Sequence, residues 1–98
     1  MHYFAILCYE ITDMTNYNHD FITSELEELG LYGMIKTKNE DLSPLPKCTF
    51  IGEYKFQDKE ELKNLLYGEV KKLFESNGLK ATVFIAVSEK ATIGLDSF

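Results

Sequence analysis

Arginine is absent from this sequence. Its ten cations are all lysines, set against sixteen Asp and Glu, for a net charge of −6. Arginine supplies the planar fork that grips phosphates and guanine edges at two points, and a free-standing nucleic-acid binder shows a basic face. Lys36, Lys38, Lys47 and Lys55 fall in the middle of the chain, where they could share a sheet edge, but acids surround them. Tight nucleic-acid binding by the monomer is therefore not expected. Long apolar runs are missing too: none approaches the ~20 residues of a membrane span. The opening stretch lacks a basic region followed by a cleavage site, so the expectation is a cytoplasmic protein with no membrane partner.

Cysteine is scarce. Cys8 and Cys48 are the two present, both within expected strands, and without a secretory signal they read as free thiols acting as small apolar residues. No CxxC pattern occurs, and His2 and His19 have no partners at ligand spacing, which argues against zinc. None of Ser24, Ser43, Ser76, Ser88 or Ser97 sits in a nucleophile-elbow setting, and the glycines form no phosphate-cradling loop. No resident cofactor is expected.

What is present is core material. The chain is 45% apolar, with seven Phe and six Tyr among its 98 residues, and this length fits one domain, residues 1–98. Residues 3–11 alternate as a strand does, with Tyr3, Ala5, Leu7 and Tyr9 on one face and Phe4, Ile6, Cys8 and Glu10 on the other. Both faces are largely apolar, so a central strand is expected. The polar loop "TDMTNYN" follows, and residues 18–29 read as a helix with Phe21, Ile22, Leu26 and Leu29 on its buried stripe. Glu25, Glu27 and Glu28 form its solvated face, and Gly30 is its stop.

"LYGMIKTK" (31–38) is the expected second strand, and "NEDLSPLPK" (39–47) a loop broken by Pro44 and Pro46. "CTFIGEYKF" (48–56) is the third strand. Cys48, Phe50, Tyr54 and Phe56 lie on one of its faces, and Gly52 marks a bulge or a close backbone approach. Asp58 and Glu61 have the form of a capping box for a second helix. Leu62, Leu65, Leu66, Val70, Leu73 and Phe74 make its stripe, Gly68 suggests a close packing contact within it, and Gly78 follows the last turn. "KATVFIAVS" (80–88) is the fourth strand, apolar on both faces and expected to be central. In the tail, Ile93, Leu95 and Phe98 are spaced to lie against something.

The resulting order is βαββαβ, a ferredoxin-like pattern. It predicts an α+β sandwich with two helices on one face of an antiparallel sheet whose first and last strands are neighbours. Aromatics such as Tyr3, Phe4, Tyr9, Phe50 and Tyr54 exceed what two short helices can cover, so a homodimer is expected.

Three groups of residues are candidates for function. Glu10 ends the first strand, where a carboxylate can bind a hard cation such as Mg²⁺ and, with a second carboxylate, activate water against phosphate. It can equally be the polar residue that ends a strand at solvent. His19, near Asp20 and Glu10, is a candidate general base, or a surface residue at a helix start. Pro44, Pro46 and Lys47, in "SPLPKCTF", form either a partner-docking loop or a connection in which proline blocks stray strand pairing.

"YFAILCYEIT" resembles the opening strand of the small CRISPR-associated ferredoxin-like nucleases, which runs into a Tyr-Asp-Ile-type triplet. "NYNHDFITSELEELG" is similar to the helix of the SinR-like and GhoS-type antitoxin proteins. The resemblance spans residues 3–75 in order and length, and its one specific motif is the strand-1 triplet. It implies a dimeric ferredoxin-like fold and places Glu10 where the nucleases hold a metal-binding, catalytic Asp. Glu is one methylene longer, and this chain is acidic where those nucleases carry basic residues, so the fold transfers more safely than cleavage. The sequence therefore favours a small dimeric interaction module that binds a protein partner, in a defence or toxin–antitoxin setting. The alternative is a metal-dependent endoribonuclease acting on RNA. A sensor binding a small ligand on its sheet face comes third.

Overall fold

Backbone pairing through one strand organises this chain, as the computed structural model of residues 1–37, 39–90 and 92–95 describes it. Lys38, Ser97 and the tail residue Phe98, all named above, lie outside the described residues. The elements are β1 (His2–Ile11), α1 (His19–Glu28), β2 (Met34–Lys36), β3 (Leu42–Pro44), β4 (Thr49–Lys55), α2 (Lys59–Ser76) and β5 (Ala81–Ser88). β1 is the middle strand of a three-stranded antiparallel sheet ordered β4-β1-β5, and β2 and β3 form a separate two-stranded hairpin. In register, Leu7 lies opposite Phe50 of β4 and Ile85 of β5. The chain is α+β, and its first and last strands are neighbours as expected.

The element order is not strictly βαββαβ, and the difference lies in residues 31–47. The expected second strand divides in two. Tyr32 forms an isolated bridge with Ile51, each N–H donating to the other's carbonyl at 2.8 Å, while β2 turns aside to pair with β3. The expected proline-broken loop thus contains a strand. Its turn is closed by the Thr37 N–H to the Asp41 carbonyl and the Glu40 N–H to the Thr37 carbonyl, both 2.9 Å, with Glu40 at φ 62°. The Leu45 N–H donates to the Gly33 carbonyl, so by alternation the Pro44 nitrogen faces away from β2. Pro44 therefore removes no bond from the ladder. Two further expectations change. β5 is the outer strand of the sheet rather than a central one, and Cys48 precedes β4 with a left-handed φ of 63°.

Odd-numbered residues of β1 point under the helices. Tyr3, Ala5, Leu7 and Tyr9 are buried with Phe50 and Ile85, against Ile22 and Leu26 of α1 and Leu62, Leu66, Val70 and Phe74 of α2. A leucine buried this fully contributes about 2 kcal/mol of transfer free energy. The helical stripes are narrower than the sequence suggests. Phe21 is 45% exposed and Leu65 50% exposed, because each lies about 100° round the helix from the inward line through Ile22 or Leu66. Gly68 is exposed with open space where a Cβ would stand, so it serves no close contact. Three of the aromatics expected to overfill the core, Tyr3, Tyr9 and Phe50, fit beneath the helices.

Both helices begin and end as their sequences indicate. Asn18 Oδ1 accepts from the Phe21 N–H at 3.1 Å and Asp58 Oδ2 from the Glu61 N–H at 3.0 Å. At the other ends Gly30 and Gly78 take positive φ, and the next residues, Leu31 and Leu79, return N–H bonds of 2.9 Å to Leu26 and Phe74. Both leucines are buried, so each helix stop also anchors the chain to the core.

Candidate functional site

β1 delivers Tyr9 and Glu10 to opposite faces of the sheet, and the two residues enter different surroundings. The Tyr9 ring stacks on Phe50 at 5.9 Å between centroids and meets Phe74 edge-on at 5.1 Å. Its hydroxyl lies 2.8 Å from the Tyr17 hydroxyl, which in turn hydrogen-bonds His19 Nδ1 and lies 3.6 Å from Cys48 Sγ. His19 Nε2 lies 3.5 Å from Thr23 Oγ1. Burial pushes the Tyr9 hydroxyl far above the ordinary phenol range, with bonds to Tyr17 and Cys48 acting in the same direction. Burial raises Tyr17 as well, partly opposed by its bond to Tyr9. Both phenols are therefore neutral hydrogen-bonding groups rather than activated nucleophiles. A neutral imidazole has one donor and one acceptor, so the chain from Tyr9 to Thr23 has two self-consistent directions.

Beside this relay is a cavity of about 250 Å³ lined by His19, Thr23, Pro44, Pro46, Lys47 and Cys48 among others. Four sequence candidates thus come together: His19 with the Pro44–Lys47 loop. Glu10 does not join them. It is exposed at the end of β1, opposite Thr82 on the helix-free face. The bonding partners of the His19 ring are Tyr17 and Thr23. Among the described residues no group of three or more His, Cys, Asp or Glu is placed to hold a metal ion. The sequence reading missed Tyr17, which stands in a polar loop. Its one signal was an aromatic directly before the helix-capping Asn18.

The second feature is the helix-free face of the sheet. Phe4, Ile6 and Cys8 of β1 share it with Ile51 of β4 and with Phe84 and Ala86 of β5. Phe84 is 61% exposed, and Tyr32, bridged to Ile51, is 51% exposed. The tail crosses this face. Ile93 and Leu95 border a cavity of about 680 Å³ with Ile6, Ile51, Leu45 and Pro46, and Ile93 reaches a second of about 590 Å³ with Phe4, Tyr32 and Met34. The apolar spacing of the tail is explained this far. Polar groups stand at one end of the face, where His2 Nδ1 lies 3.7 Å from the Glu53 carboxylate. The central lysines do not share one edge: Lys36 is in the hairpin and Lys55 ends β4 opposite His2. Among the described residues no helix is long and apolar enough to cross a membrane.

No protein-family profile, curated protein or solved structure matches the chain.

Proposed function

We propose that this chain is a small ferredoxin-like interaction module that forms a homodimer and binds a protein partner through the helix-free face of its sheet. One observation carries the proposal. A three-stranded sheet packs both helices on one side and leaves Phe4, Ile6, Ile51 and Phe84 on the other, under a tail that leaves Phe84 61% exposed. The bridge of Tyr32 to Ile51 supports the ferredoxin-like assignment, because it places the strand-2 region beside β4 on the side away from β1. A contiguous apolar patch rimmed by polar groups is the ordinary mark of a protein-binding surface. The hydrogen-bonded chain from Tyr9 through Tyr17 and His19 to Thr23, behind Pro44 and Lys47, suits positioning of the loop.

The test is the mass of the native complex recovered with the tagged chain, compared with that of Tyr32→Lys and Ile51→Lys. Loss of the partner from both variants, with unchanged circular dichroism, is the expected result. A partner retained by both variants removes the face from the proposal.

A further inference from the structure

The outer edge of β5 offers a self-complementary row of backbone groups. The Thr12 N–H donates to the Lys80 carbonyl at 2.9 Å, which identifies the even-numbered residues of this segment as those bonded to β1. Antiparallel alternation then turns the N–H and C=O groups of Ala81, Val83, Ile85 and Val87 outward. The Val83 carbonyl accepts a 2.9 Å bond from the Tyr67 hydroxyl of α2, as an outward carbonyl can, and that bond uses one of its two acceptor sites. Among the described residues no other backbone group bonds these outward positions.

Edge strands of this length are normally shielded by a proline, a bulge or an inward charge. Ala81–Ser88, ATVFIAVS, has no charge, no proline and no glycine. That neutrality favours a particular occupant. Every copy carries a net charge of −6, and the uncharged span between Lys80 and Glu89 lets two copies meet without opposing like charges. An antiparallel two-fold pairing centred on Phe84 opposes Val83 to Ile85 and Ala81 to Val87, so all eight outward groups find partners. Lys80 then lies opposite Ser88. Shifting the centre to Ile85 would oppose Lys80 to Lys90, so Phe84 is the favoured centre.

We infer that two copies of the chain join edge to edge through β5, about a two-fold axis at Phe84, to make one continuous six-stranded sheet. The axis is perpendicular to the sheet, because opposed residues of matching parity point to the same face. Both helix layers therefore lie on one side, and the two helix-free faces form one double-width docking surface on the other. Phe84, 61% exposed in the single chain, packs on its own copy at the centre. Such an interface is isologous and closed, so it stops at two copies. The inference rests on the dimeric part of the proposed function and not on the partner.

The experiment combines light scattering over a concentration series with amide hydrogen exchange. A dimer of twice the 11.3 kDa chain mass is expected, in which the Val83 and Ile85 amides become protected as concentration rises. Phe84→Glu and Phe84→Lys, each alone, place like charges directly opposite and should weaken the dimer at least about tenfold. An equimolar mixture of the two variants should restore it as a mixed dimer. Phe84 is exposed, so neither variant should alter the thermal melt of the monomer. A dimer with unprotected Val83 and Ile85 amides, or one indifferent to both variants, overturns the edge pairing but leaves a dimeric module standing. A chain monomeric at every concentration overturns both. Partner binding is read separately through Tyr32 and Ile51, on the same face but at the opposite edge of the sheet, two strands away from Phe84.

Discussion

The carbonyl of Gly30 rests on Gly52: a Cβ at position 52 would stand 2.5 Å from that oxygen and 2.7 Å from the Tyr54 ring. Gly52 pairs with Ala5 in the middle of the sheet, so the end of α1 settles onto β4 only because two small residues meet there. Gly52→Ala should therefore destabilise the fold by about 2 kcal/mol or more, since the nearest obstacle is backbone and cannot rotate away. Urea unfolding measures it.

Gly68 should behave in the opposite way. It lies within α2, exposed, with nothing near its absent Cβ. Gly68→Ala should stabilise the protein by about 1 kcal/mol through helix propensity alone, raising the melting temperature. A loss of stability would show a contact at this position.

The phase of α2 is checked by three substitutions. Leu66 is 3% exposed and Leu65 50% exposed, so Leu66→Ala should cost roughly 2–4 kcal/mol and Leu65→Ala under about 1 kcal/mol. Lys71→Ala, whose Nζ lies 3.8 Å from exposed Glu75, should stay within about 0.5 kcal/mol. Equal costs at Leu65 and Leu66 would rotate the helix.

Alkaline pH should act through Tyr54. Its hydroxyl donates a 2.7 Å bond to the Leu29 carbonyl, and burial pushes its pKa up to about 12 from 10.0. The folded value is the higher, so the unfolded chain loses this proton first as pH rises. The stabilisation is complete below about pH 10 and is lost as pH climbs through 12. Tyr54→Phe should be less stable at neutral pH, with the Leu29 carbonyl left unpaired, and should show a shallower decline between pH 10 and 12. A decline as steep as that of the wild type would assign the effect to other phenols.

Glu10 is exposed with no ligand cluster around it among the described residues. Millimolar Mg²⁺ or Mn²⁺ should leave the melting temperature unchanged, and Glu10→Gln should be nearly neutral. A true site would add RT ln(1 + [L]/Kd), about 2.7 kcal/mol at a hundredfold excess. Metal stabilisation abolished by Glu10→Gln, together with metal-dependent RNA cleavage lost in the same variant, would replace the interaction module with an endoribonuclease.

Local chemistry was legible in the sequence. The strict alternation of residues 3–11 sorted β1 into its two faces, but both are largely apolar, so it did not say which one lies under the helices. Gly30, Asp58 and Gly78 marked helix ends correctly because caps depend on a few neighbouring residues. The hairpin of β2 and β3 was not legible, since three-residue strands carry almost no periodic signal and Pro44 looks prohibitive until the direction of its nitrogen is known. Nor could the chain by itself bring Tyr9, Tyr17, His19 and Cys48 together: they are separated by up to 39 positions and meet only because β4 lies antiparallel to β1. The outer place of β5 was likewise decided by tertiary structure. A strand apolar on both faces reads as central, whereas edge or centre is settled by which backbone groups find partners, and that depends on the order in which strands pair.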